Sequence, residues 1–269
     1  MSKRPSGPPR GKAGSRKGAM DKPVMYSGIH AVESLLRHRP EAVLELFVLD
    51  RRAERGEARL DALMQQALVQ GIAVQSARRE SLEKLAGPQN QGVVARARPR
   101  VPGGESELAT LLEGLERPPL LLILEGVTDP HNLGACLRSA DAAGVDAVIV
   151  PRRHTAGLTP VACRSAAGAA ESLRYFEVGN LAQLLAALQD RGIRVAGAAL
   201  DQRSVSLFDY QPDPGLAVVM GAEGEGLRRL TLERCDDLVS IPMAGDVQSL
   251  NVSVATGVML FHLRARGHS

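Results

Sequence analysis

The sequence contains no tryptophan, and only 4 phenylalanines and 3 tyrosines among its 269 residues. A core without large rings must rest on Leu, Val, Ile and Ala, and a hydrophobic content of 44% can supply one. That composition suits an α/β protein. Cysteine is scarce as well. Cys136, Cys163 and Cys235 are widely spaced and form neither a CxxC pair nor a zinc pattern. They read as three buried thiols in a reducing compartment, with no metal site. A catalytic cysteine is the weaker alternative, because none has an obvious histidine partner. No apolar run approaches the roughly 20 residues that a membrane span needs. The N-terminus has basic residues but no apolar h-region, so it does not read as a secretory signal. The expectation is a cytoplasmic protein with no membrane contact.

The net charge of +3 is unevenly spread. Residues 1–22 hold seven basic residues against Asp21, a balance of +6, which leaves −3 for the rest. This stretch is rich in Gly, Ser and Pro and cannot bury itself. It reads as a disordered basic tail over 1–23, either solubilising or an arm for a polyanion such as RNA.

Two blocks follow. Residues 24–98 alternate helix and strand signals: a helix over 26–38, strands over 42–50, 72–77 and 92–98, and helices over 57–70 and 78–87. This is a small α/β module. The Pro- and Gly-rich stretch PRVPGGESEL opens a linker over 99–117. From 118 to 269 the alternation becomes regular. Strands are expected over 120–127, 145–151, 173–178, 193–200, 216–220 and 237–243. Helices are expected over 132–144, 181–192, 227–235 and 251–266. The run LLLILEGV is apolar throughout, as in a strand covered on both faces. The pattern predicts a parallel sheet between layers of helices, with ligands at the carboxyl ends of its strands.

Three loops follow strand ends in the second block: 128–139, 221–227 and 241–253. The middle one, GAEGEGL, has three glycines, yet it lacks the GK[ST] of a phosphate loop and the GxGxxG of a dinucleotide loop. Glu223 and Glu225 would also repel a pyrophosphate. The loop is either a tight strand-to-helix turn or a seat for a ligand that is not anionic. S-adenosyl-L-methionine, with a sulfonium, an ammonium and no phosphate, is one such ligand. In the third loop, Ser249, Asn251 and Ser253 open a helix and read as caps or as polar ligand contacts. In the first, Asn132 is a natural cap. Arg138, six residues on, is either a surface residue or aimed at a phosphate or developing oxyanion.

Taken in order, DPHNLGACLRSADAAG, VVMGAEGEGLRRL and IPMAGDVQSLNVSVATG resemble the three signature motifs of the SpoU (TrmH) family of RNA ribose 2′-O-methyltransferases. The opening of the first block, YSGIHAV, resembles the substrate-binding domain of those members that methylate a guanosine ribose in large-subunit ribosomal RNA. The resemblance spans about 24 to 266. It implies a small α/β N-terminal RNA-binding domain and a parallel-sheet α/β-knot (SPOUT) catalytic domain, with the C-terminal segment tied into a trefoil knot, an exception to unthreaded chains. It also implies a homodimer with the active site near the subunit interface, and ribosomal RNA as the partner. Two stretches depart from the family pattern: Asn90-Gln91-Gly92 stands where His-Gln-Gly is usual, and CRSAAGAAE replaces a KVACGAAE-like form.

By position, the resemblance implies Asn132, Arg138, Glu223, Ser249 and Asn251 as catalytic residues. Gly221, Ile241 and Leu250 would hold S-adenosyl-L-methionine, largely through the backbone. Arg138 is the family's proposed base. A guanidinium resists that role because it keeps its proton, and holding an RNA phosphate and the developing alkoxide suits it better. Glu223 and Asn132 would orient Arg138 and the substrate, while Ser249 and Asn251 would fix the ribose and the methionine end. His131 and His154 read as RNA-facing or incidental. The alternatives are a transfer-RNA ribose methyltransferase and an RNA-binding protein without chemistry. A dehydrogenase fails on the glycine pattern and the acids.

Overall fold

The computed structural model describes residues 22–50, 58–222, 224 and 226–267. Nearly all of the expected basic tail, and both Glu223 and Glu225, therefore lie outside the described residues.

The first block runs β1 (Val24–Ser27), α1 (Ile29–His38), one 3-10 turn (Pro40–Ala42), β2 (Val43–Leu49), α2 (Ala58–Val69), β3 (Val74–Ala77), α3 (Arg79–Ala86) and β4 (Val93–Ala97). Its sheet has the order β1-β4-β2-β3. The helix expected from residue 26 begins at Ile29, and the residues before it form β1. That strand exists because it pairs antiparallel with β4, Tyr26 opposite Ala95, a distant partner invisible to helical spacing. Val32, Leu35 and Leu36 of α1 pack with Leu46 and Val48 of β2 in one buried cluster.

The second block runs α4 (Glu105–Glu113), β5 (Leu120–Leu124), α5 (Pro130–Ala142), β6 (Ala147–Pro151), α6 (Pro160–Ser165), α7 (Ala169–Ser172), β7 (Tyr175–Val178), α8 (Leu181–Gln189), β8 (Arg194–Ala198), β9 (Val205–Ser206), β10 (Leu216–Met220), α9 (Arg229–Arg234), β11 (Asp237–Ser240) and α10 (Val252–Gly267). Seven strands form a sheet of order β7-β6-β5-β10-β8-β11-β9, and every neighbouring pair is parallel. Successive side chains of a strand point to opposite faces. In β5, Leu120, Leu122 and Leu124 accordingly join one buried cluster with Leu133 and Leu137 of α5 and Met259 and Leu263 of α10. Leu121 and Ile123 join another with Leu185 and Leu188 of α8. Burial on both faces is why this strand is apolar throughout. Among the described residues, no helix is long and apolar enough to cross a membrane.

The stretch expected as a linker is partly folded. It carries α4, whose Leu108 is buried against the sheet, and Gly103 bridges to Phe176 of β7. Pro and Gly marked its start but hid the helix behind them. Two short helices, α6 and α7, and the two-residue β9 were not expected either. All three are too short to show a period.

The two blocks meet along a polar seam within the larger cluster. Gly168 lies so close to α1 that a Cβ there would come within 2.8 Å of Ser34 Cβ and 3.0 Å of the His30 carbonyl, and Ser34 Oγ donates to the Gly168 carbonyl at 2.7 Å. Arg39 of the first block pairs with Glu171 of the second at 2.8 Å, and the carboxylate side chain is only 2% exposed. Removing one member of such a pair strands a buried charge. Arg39→Ala is expected to cost about 2–4 kcal/mol, towards the lower end of the range for buried pairs because the guanidinium keeps some water contact. Urea unfolding checks it, and adding Glu171→Gln to the variant should recover part of the loss. Equal stability of wild type and Arg39→Ala would show that the seam contributes little.

Cys136 and Cys163 are buried as expected, whereas Cys235 is half-buried; all three are free thiols. Burial pushes them up, Cys136 to about 11 and the other two to about 12. A raised thiol stays protonated and unreactive below that value. At about pH 8 the native protein should therefore resist iodoacetamide, while the urea-unfolded chain takes up label at all three positions. Rapid native labelling, read by mass spectrometry, would contradict this.

Candidate active site

Because the large sheet is parallel, the loops after β5, β8, β10 and β11 all emerge at one edge. Ligands in open α/β sheets bind at that edge. The glycine-rich loop after β10 folds back on itself: the Ala222 N–H donates to the Gly226 carbonyl at 3.1 Å, and the Gly226 N–H donates to the Ala222 carbonyl at 2.9 Å. Gly221 lies under this hairpin. A Cβ on it would sit 2.2 Å from the Gly226 carbonyl carbon. The hairpin's entry is therefore closed to any side chain.

One side of the hairpin faces an apolar cleft of about 340 Å³. Gly221, Ile241 and Leu250, the residues expected to hold a cofactor, all line it, and Ser249 does too. Further walls come from Met220, Leu227, Val239 and Met259, and from Ala198 to Leu200 at the end of β8. No charged residue lines the cleft among the described residues; its polar side chains are Ser240, Gln248 and Ser249. A phosphate would find no counter-charge there. An adenosyl group with its flat ring and no phosphate fits the lining.

The other side of the hairpin faces a second, more polar recess of about 300 Å³, lined by Glu125, Thr128, Asp129, Asn132, His154 and Arg228. The two hollows share Ala222, Gly226 and Val252 as a common wall. Glu125 is buried, with both carboxylate oxygens engaged. One accepts the Arg228 N–H at 3.0 Å and the other the Thr231 hydroxyl at 2.9 Å, so it caps the start of α9.

The expected cap role of Asn132 is corrected here. Asp129 caps α5, its carboxylate accepting from the backbone N–H of His131 at 3.1 Å and of Asn132 at 3.4 Å, and Pro130 follows as the first helical residue. A competent acid three residues earlier takes the capping role. The Asn132 side chain receives a hydrogen bond from Asn251 Nδ2 at 3.0 Å, which ties the first loop to the third. Asn251 also caps α10: its Oδ1 accepts the Ser253 N–H at 2.9 Å and the Ser253 hydroxyl at 2.6 Å. The cap among Ser249, Asn251 and Ser253 is thus Asn251.

Arg138 is exposed on α5, lines neither hollow, and makes no hydrogen bond or ion pair among the described residues. No hydrogen bond joins it to Asn132. Six residues along a helix put two side chains on different faces. Glu223 lies outside the described residues. Sequence reading overlooked Glu125, Asp129 and the end of β8. The topology of the sheet, which seats β8 between β10 and β11, is the signal that finds the last of these.

Comparison with known proteins agrees with this arrangement. Residues 119–261 match the model of the SpoU rRNA Methylase family, and residues 27–102 match that of RNA 2'-O ribose methyltransferase substrate binding. The chain is 50% identical over 238 residues to the 23S rRNA (guanosine-2'-O-)-methyltransferase RlmB of Photobacterium profundum, covering 88% of this chain and 95% of that one. It is also 50% identical over 246 residues to RlmB of Yersinia pestis, covering 91% and 98%. Among solved structures, an RNA 2'-O ribose methyltransferase superposes with a TM-score of 0.72 at 27% identity, covering 94% of this chain and 92% of that one. The methyltransferase AviRb from Streptomyces viridochromogenes, in complex with AdoMet, shares the fold at a TM-score of 0.72 and 24% identity, covering 95% and 94%. With its three loops gathered at one sheet edge and both domain models matched in order, this chain belongs to the SpoU rRNA methylase family.

Proposed function

We propose that this chain methylates the ribose 2′-OH of a specific guanosine in 23S ribosomal RNA, the reaction its RlmB relatives are named for, with S-adenosyl-L-methionine as donor, the cofactor in the AviRb complex. One observation carries the reading: an apolar cleft with no charged lining residue among those described and a polar recess share one wall, Ala222, Gly226 and Val252. The cleft suits the donor, the recess suits a nucleoside, and transfer needs the two side by side.

When bound, S-adenosyl-L-methionine supplies an electrophilic methyl group on a sulfonium. The chain's residues do the positioning. Gly221, Ile241 and Leu250 hold the adenosyl part, mainly by backbone. Ser249 lines the same cleft and fixes the polar end. Asn132, held by Asn251, presents its amide to the ribose. Arg138 neutralises an RNA phosphate and the alkoxide that forms as the 2′-OH loses its proton. Glu223 completes the set by its place in the glycine loop.

The homodimer belongs to this reading. Val254 and Phe261 are each 51% exposed on α10, and Val258 between them is partly exposed. They share one helical face, an apolar stripe that a second copy would cover. Residues 24–98 serve as the substrate-binding unit and 118–269 as the catalytic unit, joined through 99–117. The loop after β11 and α10 form the knot. The protein works in the cytoplasm, where its RNA is made.

Mass spectrometry of nucleosides from ribosomal RNA, from cells with and without this protein, tests the function. One 2′-O-methylguanosine should vanish from 23S RNA. Its persistence there, with a loss in transfer RNA instead, would replace the substrate; no change in any RNA would remove the enzymatic reading.

A further inference from the structure

We infer that the polar recess seats the guanine base itself, and that Asp129 and Arg228 are the residues that distinguish guanine from other bases. The inference rests on the guanosine-methylation reading and deepens it.

A methyl group can pass only across the wall of Ala222, Gly226 and Val252 that both hollows share. The accepting ribose must therefore lie against that wall on the recess side. The attached base is then confined to the remaining lining, where the charged and aromatic side chains among the described residues are Glu125, Asp129, His154 and Arg228. Each can be tested against the edge of a guanine. That edge presents two adjacent donors, N1–H and the 2-amino group, and on its other side two acceptors, O6 and N7.

Glu125 is excluded as a reader because it is buried, only 4% exposed, with its oxygens turned to Arg228 N–H and Thr231, whereas Asp129 is exposed. Asp129 is different. Each of its oxygens accepts a single backbone N–H, at 3.1 and 3.4 Å, and a carboxylate oxygen can accept more than one hydrogen bond. Its capping bonds fix it in place with acceptor capacity to spare, which matches the paired donors of guanine. Adenine would bring a ring-nitrogen lone pair against that carboxylate, and is disfavoured. Arg228 has its backbone held by Glu125, while its exposed guanidinium makes no hydrogen bond or ion pair among the described residues. A guanidinium fork is the side chain that matches O6 and N7 together. His154 is held at φ 60, a left-handed backbone unusual for a side-chain-bearing residue. Its exposed ring is a planar surface on which an unstacked base can rest. The two acids make the recess a poor seat for a phosphate, so the backbone of the RNA runs elsewhere.

The test uses an RNA fragment containing the guanosine located by mass spectrometry, with that residue replaced by inosine, which lacks the 2-amino group, or by 7-deazaguanosine, which lacks N7. Fragment affinity by fluorescence anisotropy and kcat/KM for methyl transfer are measured for wild type, Arg228→Ala and Asp129→Asn. Calorimetry of S-adenosyl-L-methionine binding checks that each variant is folded. Wild type should lose roughly 5- to 100-fold in kcat/KM with each altered base, the span expected for one base-reading contact. Arg228→Ala should be weaker on guanosine, indifferent to loss of N7 and still sensitive to loss of the amino group. Asp129→Asn should show the reverse pattern. Full sensitivity of Arg228→Ala to loss of N7, or a wild type that accepts both altered bases like guanosine, overturns the assignment while leaving the methyltransferase standing. A wild type that binds S-adenosyl-L-methionine but methylates no guanosine overturns the function and this assignment with it.

Discussion

Replacing Gly221 with valine is expected to weaken the binding of S-adenosyl-L-methionine by roughly 10- to 100-fold without unfolding the chain, the equivalent of an overpacking cost of about 1–3 kcal/mol. The cause is the hairpin above it. A Cβ at 221 would sit 2.2 Å from the Gly226 carbonyl carbon and 2.5 Å from both the Gly226 oxygen and the Leu227 nitrogen. Those atoms are backbone, so no rotamer change relieves the clash. The hairpin would have to lift, breaking its two Ala222–Gly226 hydrogen bonds and reshaping both hollows it separates. The sheet below, buried from Leu216 to Met220, should survive because the strain is released outward into a loop. Calorimetry gives the affinity, and far-UV circular dichroism gives the fold. A valine variant that binds the cofactor as well as wild type would show that the cleft is not its seat.

The same glycine shows why the loop was only half legible. Its composition pointed to a close backbone approach and away from phosphate, and both readings agree with a cleft that has no charged lining residue among those described. What pressed on Gly221 could not be read, because the contact is made by the loop's own return. The large sheet was legible for a related reason. A strand buried on both faces must be apolar at every position, so Leu120–Leu124 and Leu216–Met220 announce themselves without reference to their neighbours. β1 did not, because its existence depends on pairing with β4 some 70 residues away.

Among the expected site residues, motif order pointed to Gly221, Ile241 and Leu250 as a group, and these three line one cleft. The side chains were harder. Asn132 read as a cap because asparagine favours that position, yet Asp129 stood three residues before it and took the role. Asn132 instead met Asn251, 119 residues away. Glu125 was hidden inside an apparent strand. Its burial is acceptable only because Arg228 N–H and Thr231 satisfy it, and neither partner is near in sequence.

Arg138→Ala should lower methyl transfer by roughly 10²- to 10³-fold, the scale on which a single donor to a developing oxyanion acts. It should leave both stability and cofactor affinity close to wild type. Arg138 is exposed, lines neither hollow and has no partner among the described residues, so its removal strands no buried group. Loss of turnover with stability and cofactor affinity unchanged is the signature of a residue whose partner is the RNA. Two roles remain to be separated. A guanidinium holding a phosphate and the alkoxide acts through a fixed fork of donors. A base acts by giving up a proton, which a guanidinium resists. Lysine divides them, since it keeps the charge, lacks the fork and deprotonates far more readily. Arg138→Lys should therefore stay impaired as pH rises, and its salt dependence of RNA binding should change little, whereas Arg138→Ala should reduce the salt slope by about 1, the loss of one phosphate contact. Recovery of near-normal turnover by Arg138→Lys at raised pH would instead identify position 138 as the base. Turnover of Arg138→Ala near the wild-type level would remove it from the active site altogether.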